Sequence, residues 1–276
     1  MGGDFRVVTD STADVPEEWR ERYGIEVVPL RVLFGTESFR DGVDLTSGQF
    51  FDRLRQADRL PTTSAPSPGD FAAVYERLSH ECDGVVSIHI SGELSATVEA
   101  ARLGAGSVEG FPVHVVDSRC LTICMAYLCR AATEAATVEE AVRRVEERVS
   151  RQRIMALLDT LRYLEMGGRI GRAQALLGTV LDLKPILSLA DGRVVPLDRV
   201  RTRTKAIPRL VERLRDDLPV ERLAVMHAQA PADAERIRGQ LAAELPDVEV
   251  DVGELGAVLG THVGPGTVGM AYITRS

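Results

Sequence analysis

An apolar strand, a hydroxyl-rich turn and a helix follow one another in residues 85–104, VVSIHISGELSATVEAARLG. The same order recurs through the first half of the chain, where the apolar segments FRVVTDS, IEVVPLRVLF and FPVHVVDS are separated by helical patterns. Strands that alternate with helices form parallel sheets whose two faces the helices cover. The first half is therefore predicted to be an α/β domain with a parallel sheet.

Cap and turn residues mark where several of the predicted helices and loops begin or end. Thr46 or Ser47 begins a helix that continues through FFDRLRQ, because a hydroxyl oxygen accepts hydrogen bonds from the free amides of a first helical turn. Proline and hydroxyl residues make LPTTSAPSPGD a predicted loop. Between VVDS and Ser150 the pattern predicts one long helical region.

The second half of the chain has a different pattern. ILSLADGRVVPLDRVR predicts a β-hairpin with Asp191 and Gly192 in its turn. The elements predicted after it are a helix at 205–217, the strand RLAVMHA, a helix at 231–245 and the strands VEVDVGE and AYITR. This order predicts an α+β domain with a mixed sheet. A boundary near residue 150 then gives two domains, 1–150 and 151–276.

Charge and composition exclude several classes of protein. The formal net charge is −8, which argues against general nucleic-acid binding because phosphates require a basic surface. The chain has no apolar run of membrane-spanning length, and MGGDFRVVTD is not a signal-peptide pattern, so a cytoplasmic protein without stable membrane insertion is predicted. Three cysteines in RCLTICMAYLCR do not have zinc-site spacing, and Asp10, Asp41 and Asp44 lie among turn and cap residues. Neither a metal nor another cofactor is predicted.

Three kinds of chemistry could use the turn within 85–104. A nucleophile at Ser95 requires a G-x-S-x-G turn, but Glu93 and Thr97 stand at the glycine positions. A phosphate loop requires GxxxxGK[ST] or GxGxxG, and neither is present. A small anion such as a carboxylate can be held by helix-start amides and neutral hydroxyls. Simple capping of the helix by Ser91 or Ser95 explains the hydroxyls as well, and the turn alone leaves capping and anchoring open.

Eight motifs along the chain carry more information about function than the turn alone. They are VTDSTADVP near the beginning, SFRDGVDLT at 38–46, TTSAPSPGDF at 62–71, IHISGELSATVEAA at 88–101, VVDS at 115–118, YLEMGGRIGR at 163–172, LKPILSLADGRV at 183–194 and THVGPGTVG at 261–269. Together they resemble the DegV family of bacterial fatty-acid-binding proteins, in the order of that family and over essentially the whole chain. The resemblance implies a two-domain DegV-like fold with a long-chain fatty acid buried between the domains.

The resemblance also implies how the fatty acid is held. Thr63 and Ser95 match the family positions whose hydroxyls hold the carboxylate, and His262 is expected to join them. Arg169, in GGRI, resembles a family arginine near the head group. The bound fatty acid is then a ligand, and the chain itself is not expected to be an enzyme.

A fatty acid kinase is the partner that the resemblance implies. In studied members a separate, dihydroxyacetone-kinase-like protein phosphorylates the bound acid to an acyl phosphate, which enters phospholipid synthesis. Arg201, in the basic segment GRVVPLDRVRTRTK, matches a position implicated in docking this kinase, and positive charge there favours an acidic or phosphate-bearing partner surface. A solvated strand face explains the same basic segment without a partner.

Two departures from the family pattern concern the pocket. Ala96 and Val98 stand where the family usually has a glycine and an aromatic residue, and alanine is unfavourable if the turn needs a positive φ. Larger side chains at 123–127 predict a shortened or redirected tail channel. Burial of about 14 methylenes at about 0.8 kcal/mol each still offers on the order of 11 kcal/mol before entropic and other costs. The tail is therefore expected to supply most of the affinity.

Two other functions remain open at this level. The main alternative is an enzyme that acts on a small carboxylated or phosphorylated metabolite, with Ser95 as nucleophile and His262 as acid and base. A weaker alternative is a ligand sensor without a kinase partner. Of the other histidines, His89 and His114 are predicted to be structural, and His227 is a further candidate for the cleft between the domains.

Overall fold

The structure, a computed structural model, describes residues 4–177 and 184–275. Leu183, which begins one of the motifs above, and the first three residues of MGGDFRVVTD lie outside the described residues. The strands are β1 (Phe5–Asp10), β2 (Glu26–Val28), β3 (Arg31–Phe34), β4 (Glu37–Arg40), β5 (Thr62–Ser64), β6 (Gly84–His89), β7 (Val113–Asp117), β8 (Gln152–Leu157), β9 (Lys184–Ala190), β10 (Arg193–Val200), β11 (Val220–His227), β12 (Val250–Glu254) and β13 (Val268–Thr274). The helices are α1 (Glu17–Tyr23), α2 (Ser47–Gln56), α3 (Pro68–Ser79), α4 (Thr97–Ala105), α5 (Ile123–Thr133), α6 (Val138–Val149), α7 (Arg162–Met166), α8 (Arg203–Arg215), α9 (Pro231–Glu244) and α10 (Ala257–Val263), with short 3-10 helices at Ser11–Ala13 and Gly171–Leu176.

The first sheet contains four parallel strands in the order β2-β1-β6-β7. Helices α3 and α4 pack on one face, where Phe71 and Tyr75 are fully buried, and α5 and α6 pack on the other. The central strand β6 is buried along its whole length, as a parallel strand covered on both faces must be. The predicted parallel-sheet α/β arrangement is confirmed.

The segment IEVVPLRVLF forms two strands in different sheets. β2 ends at Val28 in the parallel sheet, whereas β3 begins at Arg31 and pairs antiparallel with β4 and β5. Pro29 between them has no amide hydrogen and cannot continue a strand ladder. The prediction of a single strand is therefore wrong, and the three-stranded sheet of β4, β3 and β5 was not predicted.

The predicted loop LPTTSAPSPGD contains the short strand β5. In it, Thr62, Thr63 and Ser64 pair with β3, and Thr63 stands opposite Val32. Threonine is β-branched and suits an extended strand, but prolines on either side conceal this signal. The loop prediction is right for 65–67 and wrong for β5, which fixes the position of Thr63.

The second half forms a mixed sheet of six strands in the order β10-β9-β8-β13-β11-β12. Among the described strands, β11 and β12 pair parallel and the other neighbours pair antiparallel. β9 and β10 form the predicted hairpin, with Asp191 at φ 50° and Gly192 at φ 78°, the left-handed geometry that a tight hairpin turn requires. Helices α8 and α9 cover one face. The mixed sheet is confirmed, although β8 was not predicted.

The chain passes from the first half to the second between α6 and β8. α6 ends at Val149, and β8 begins at Gln152 as part of the six-stranded sheet. The helical region predicted to extend to about Ser150 consists of two helices, because a hydroxyl cap at Thr137 starts α6 after α5 has ended. The division near residue 150 stays a prediction, since the last helix of the chain returns to the first half.

Helix α10 (Ala257–Val263) lies in the glycine-rich segment before β13 and was not predicted. It packs against α2 and β3 of the first half. Gly260 permits this close approach, because a Cβ there would lie 2.8 Å from Phe51 Cζ and 2.9 Å from Phe50 Cε1. α10 thereby carries His262 to the junction between the two halves of the chain.

Candidate ligand-binding site

A cavity lies between the six-stranded sheet and the first half of the chain. It encloses about 1210 Å³ of space free of protein atoms, including its open mouth. Its wall is mainly aliphatic and includes Leu30, Ile90 and Leu121 from the first half and Leu187, Met226 and Val258 from the second. A largely apolar cavity of this kind suits a ligand with a long apolar part.

Polar side chains interrupt this apolar wall at several positions. Thr63, Ser95, Arg169 and His262, the residues predicted to hold a head group, all line the cavity. Thr63 Oγ1 lies 2.8 Å from His262 Nε2, although 199 residues separate the two along the chain. The structure therefore assembles these four residues at one cavity, and their roles toward a ligand stay predictions.

The imidazole of His262 is half-buried, and its surroundings favour the neutral form. Burial, and secondly the positive charge of Arg169, lower the pKa of His262 to about 4, because both disfavour the imidazolium ion. Nδ1 has no hydrogen-bond partner in the described chain and faces Gly167, where a Cβ would lie only 2.4 Å away. A neutral ring with its proton on Nε2 donates to Thr63 and leaves the Thr63 hydroxyl hydrogen free to donate into the cavity.

The turn at Ser95 is stabilised by neighbouring hydroxyl groups. Ser95 Oγ lies 2.8 Å from Thr97 Oγ1 and accepts a hydrogen bond from the Thr97 amide at 3.4 Å. Ala96 has φ −74° and ψ 6°, so this turn does not need the positive φ that would disfavour alanine. Val98 is buried and is not part of the described cavity wall. Ser95 thus stabilises the first turn of α4 while it lines the cavity.

Arg169 bridges the two halves at the mouth of the cavity. Its guanidinium donates to Leu94 O at 3.2 Å and to Gly167 O at 2.6 Å. The residue is exposed, and no ion pair joins it to another described residue. A positive charge is therefore held beside Ser95, where it can attract an anionic head group.

Two carboxyl groups of the first half hold the start of α10. Asp14 Oδ1 accepts a hydrogen bond from the Gly256 amide at 2.9 Å, and Asp41 Oδ1 accepts one from the Ala257 amide at 3.0 Å. Thr122 Oγ1 donates to the other Asp14 oxygen at 2.6 Å. Sequence reasoning placed Asp41 among turn and cap residues and did not single out Asp14, because the partner amides of Asp41 and Asp14 follow 216 and 242 residues later. Through α10, this attachment positions His262.

The pKa values of the same two carboxyl groups are raised. Burial raises the pKa of Asp14 to about 8 and that of Asp41 to about 6, because a buried carboxylate loses its hydration. The hydrogen bonds from the start of α10 act in the opposite direction and favour the ionised form. The attachment of α10 is therefore expected to respond to pH.

The other histidines lie away from the cavity wall. His89 is fully buried and bonds Asp10 Oδ2 at 3.0 Å and Ser87 Oγ at 2.7 Å, which agrees with a structural role. His114 is exposed on the edge strand β7. His227 is half-buried, burial lowers its pKa, and it does not line the cavity in the described structure.

The aspartates considered for a metal have other partners. Asp10 bonds His89, Asp41 bonds the start of α10, and Asp44 forms two hydrogen bonds of 2.9 Å with the Arg40 guanidinium. Within 4–177 and 184–275, no group of three or more metal-ligating side chains is suitably placed. The helices of these ranges are also too short or too polar to cross a membrane.

Arg201 directly follows β10, on an edge of the six-stranded sheet. In the surrounding basic segment, Arg193 pairs with Glu93 and Arg203 pairs with Asp159. Arg201 is exposed and has no ion pair with the described part of the chain. Its charge is therefore available to a partner, and docking stays a prediction.

The larger side chains at 123–127 belong to the hydrophobic core. All five residues are buried, and they are absent from the described cavity wall, which instead includes Leu121 and Thr122 just before α5. They do not shorten the cavity by direct contact, contrary to the expectation. Leu121 and Thr122 were missed because aliphatic and hydroxyl side chains beside a cavity give no distinctive pattern.

Comparison with known proteins identifies the family. A family model described as "Uncharacterised protein, DegV family" matches residues 4–275. The chain belongs to the DegV family. Protein DegV of Bacillus subtilis (strain 168) is 37% identical to it over 275 residues, which cover 96% of this chain and 98% of the relative.

Solved DegV structures share the fold along the whole chain. A DegV family protein from Thermus thermophilus, described as fatty acid binding, superposes with a TM-score of 0.92 at 36% identity and covers 98% of this chain and 99% of its own. A stearic-acid-binding protein from Eubacterium ventriosum superposes with a TM-score of 0.87 at 26% identity and covers 98% of each chain. The parallel four-stranded sheet and the mixed six-stranded sheet are thus those of the DegV fold.

Proposed function

We propose that this DegV family chain binds one long-chain fatty acid in the cavity and presents its carboxylate to a fatty acid kinase. The main support is the cavity itself, whose mainly aliphatic wall comes from both halves and includes Thr63, Ser95, Arg169 and His262. Similar DegV proteins are described as fatty acid binding, and one as stearic acid binding. The bound acid is the proposed ligand, and no other cofactor is proposed.

The proposed domains, residues 1–150 and 151–276, hold the acid between them. The first domain contributes the hydroxyls of Thr63 and Ser95 as neutral donors to the carboxylate oxygens. The second contributes His262, whose Nε2 lies 2.8 Å from Thr63 Oγ1 and can orient that hydroxyl toward the ligand. Neutral donors satisfy a carboxylate without a buried cation, which suits a site that must also release its ligand.

Arg169 supplies the proposed positive charge at the carboxylate. Hydrogen bonds to two backbone carbonyl oxygens fix its guanidinium, so little side-chain entropy remains to be lost when the ligand binds. Because the residue is exposed, solvent screens its attraction for the carboxylate. Arg169 is therefore proposed to orient the head group, while the tail supplies most of the affinity.

The exposed end of the site is where a partner can reach the carboxylate. In the proposed reaction, a carboxylate oxygen attacks the γ-phosphorus of ATP held by a dihydroxyacetone-kinase-like partner, ADP leaves, and an acyl phosphate forms for phospholipid synthesis. Arg201, exposed and without an ion pair in the described chain, is the proposed docking residue. We place this exchange in the cytoplasm.

The enzyme alternative requires Ser95 and His262 to act as a pair. In the described structure, Ser95 bonds Thr97 and His262 bonds Thr63. A hydrogen-bonded nucleophile and base are therefore not assembled at this site. We propose that the chain itself catalyses no reaction and that the kinase supplies the chemistry.

Denaturing mass spectrometry of organic extracts from the purified protein tests this proposal. A co-purifying long-chain fatty acid, retained by wild type and depleted by Ser95→Ala, is the expected result. Ser107→Ala is the matched control, because this exposed hydroxyl bonds only the Leu103 carbonyl oxygen of its own segment. A lipid-free extract, together with kinase-free turnover of an acyl or metabolite substrate, would instead establish the enzyme alternative.

A further inference from the structure

A methionine, Met226, lines the cavity beside the start of helix α10. Helix α10 runs along the wall, with His262 near its end and Leu255 just before its start. The Leu255 amide donates to His227 O at 2.8 Å, and Met226 is the preceding residue of β11. Met226 therefore lies beside the start of α10, whereas His262 lies near the end of this helix.

The floor of the cavity leads toward this methionine. Leu187, Ala156, Gly269, Met226 and Gly253 are register partners on five neighbouring strands, and register partners project to the same face of a sheet. Ala156 and Gly269 leave the centre of the row almost without side chains. An apolar tail that lies over them next meets the side chain of Met226.

The end of the Met226 side chain lies over Gly253. A Cβ at Gly253 would lie 2.8 Å from Met226 Cε and 3.0 Å from Sδ, whereas ordinary contacts begin near 3.4 Å. The thioether thus occupies the place that any larger residue at 253 would need. Methionine is unbranched and has flexible torsions, so its end can turn from this place into the cavity without a backbone shift.

We propose that Met226 sets the longest tail that the cavity accepts and that Gly253 is the positioning residue that keeps its thioether out of the cavity. This inference rests on the proposed fatty-acid binding and specifies its ligand class: straight-chain acids up to the length at which the terminal methyl reaches Met226 Cε. A longer tail must displace the thioether, and the strand β12 behind it limits that movement.

Two substitutions have opposite expected effects. Met226→Ala removes Cγ, Sδ and Cε and makes room for about two more methylenes, each worth about fourfold in affinity. An acid two carbons longer than the wild-type optimum should therefore bind up to about 15-fold more tightly to this variant than to wild type. Gly253→Ala turns the thioether into the cavity and should weaken the longest accepted acids by a similar factor, with shorter acids unaffected.

The decisive experiment is a chain-length series measured by displacement of a fluorescent fatty acid from delipidated protein. Saturated acids that differ by two carbons are titrated against wild type, the single variants Met226→Ala and Gly253→Ala, and the double variant. In the double variant the effect of alanine at 253 should vanish, because no thioether remains to be displaced. Gly239→Ala, where a Cβ meets nothing within 4 Å, is the matched glycine control.

Identical length profiles for wild type and Met226→Ala would overturn the inference. So would an effect of Gly253→Ala that persists in the double variant, because it would not act through the thioether. If Met226→Ala does not fold, Met226→Val carries the same comparison with a smaller change in volume. Failure of wild type to bind acids of any length would instead refute the proposed function.

Discussion

Replacement of Gly167 by alanine should displace the imidazole of His262 by about 1 Å. The new Cβ would lie 2.4 Å from His262 Nδ1 and 3.0 Å from Tyr163 O, whereas ordinary contacts begin near 3.4 Å. The backbone at Gly167 has φ −75° and ψ −9°, which alanine adopts without strain. Its amide is also held by a 2.9 Å hydrogen bond to Tyr163 O. The ring must therefore move.

The expected loss of fatty-acid affinity in Gly167→Ala follows from the hydrogen bond that the His262 ring makes. His262 Nε2 lies 2.8 Å from Thr63 Oγ1, so a shift of about 1 Å takes the pair beyond hydrogen-bond distance. The bond is worth about 0.5–1.5 kcal/mol, and overpacking adds about 1–3 kcal/mol. We expect overpacking to lower the free energy of unfolding and the lost bond to weaken fatty-acid binding by about two- to tenfold.

The assay is a displacement titration of delipidated wild type and Gly167→Ala, together with thermal unfolding of both. The loss of affinity should be the same factor for every tail length, because only the head-group region has changed. Gly239→Ala, in α9 where a Cβ meets nothing within 4 Å, controls for a general effect of glycine replacement. Wild-type affinity in folded Gly167→Ala, or a loss confined to long tails, would refute the reasoning.

Four further predictions concern the head group, the partner and pH. Ser95→Ala should weaken fatty-acid binding by roughly tenfold or more, since a missing donor to a charged group costs about 1.5–3 kcal/mol; an unchanged displacement titration would remove Ser95 from the site. Arg201→Glu should leave bound lipid intact in extracts and slow phosphorylation by a cognate kinase; lipid loss with normal phosphorylation would place docking elsewhere. His262→Ala should lower affinity more than His262→Gln, which keeps a donor, and equal titration curves would contradict this role. Finally, the free energy of unfolding should fall as pH rises from about 4 to 8, because Asp14 holds its proton up to about pH 8 when folded but releases it near 3.8 when unfolded. Urea unfolding of Asp14→Asn, measured over the same pH range, should show a weaker fall than wild type. An identical pH dependence of the two proteins would exclude Asp14 as the cause.

Features encoded within a few neighbouring residues could be predicted from the sequence. The apolar run of β6 identifies a central parallel strand, because a strand covered on both faces is apolar throughout. Asp191 and Gly192 identify the hairpin, because aspartate and glycine tolerate the positive φ that its turn needs. Local patterns were sufficient for these elements.

Elements that depend on distant contacts were missed. β5 is only three residues long, so its pairing with β3 decides its conformation more than its own composition does. α10 contains a glycine, which has low helix propensity. Its stability comes from the packing of Gly260 against Phe50 and Phe51 and from the hydrogen bonds to Asp14 and Asp41. No local pattern contains these partners.

The candidate site was only partly accessible to sequence reasoning. Family resemblance indicated Thr63, Ser95 and His262, which the structure places at one cavity. The turn alone left capping and anchoring open for Ser95, because one hydroxyl can serve both purposes. The sequence did not indicate Met226, since an apolar residue in a cavity wall cannot be told from a core residue by its sequence pattern.

The attachment of α10 to the first half bears on how the protein is made. Asp14 meets Gly256 across 242 residues, and Asp41 meets Ala257 across 216, so the ribosome must add that many residues after each aspartate before the contact can form. Until α10 has been made, Phe51 lacks the helix that packs against it. The nascent first half therefore exposes apolar side chains to solvent, which makes it prone to aggregate. Contacts between such distant residues also form slowly. A helix synthesised more than 200 residues later therefore completes the packing of the first half.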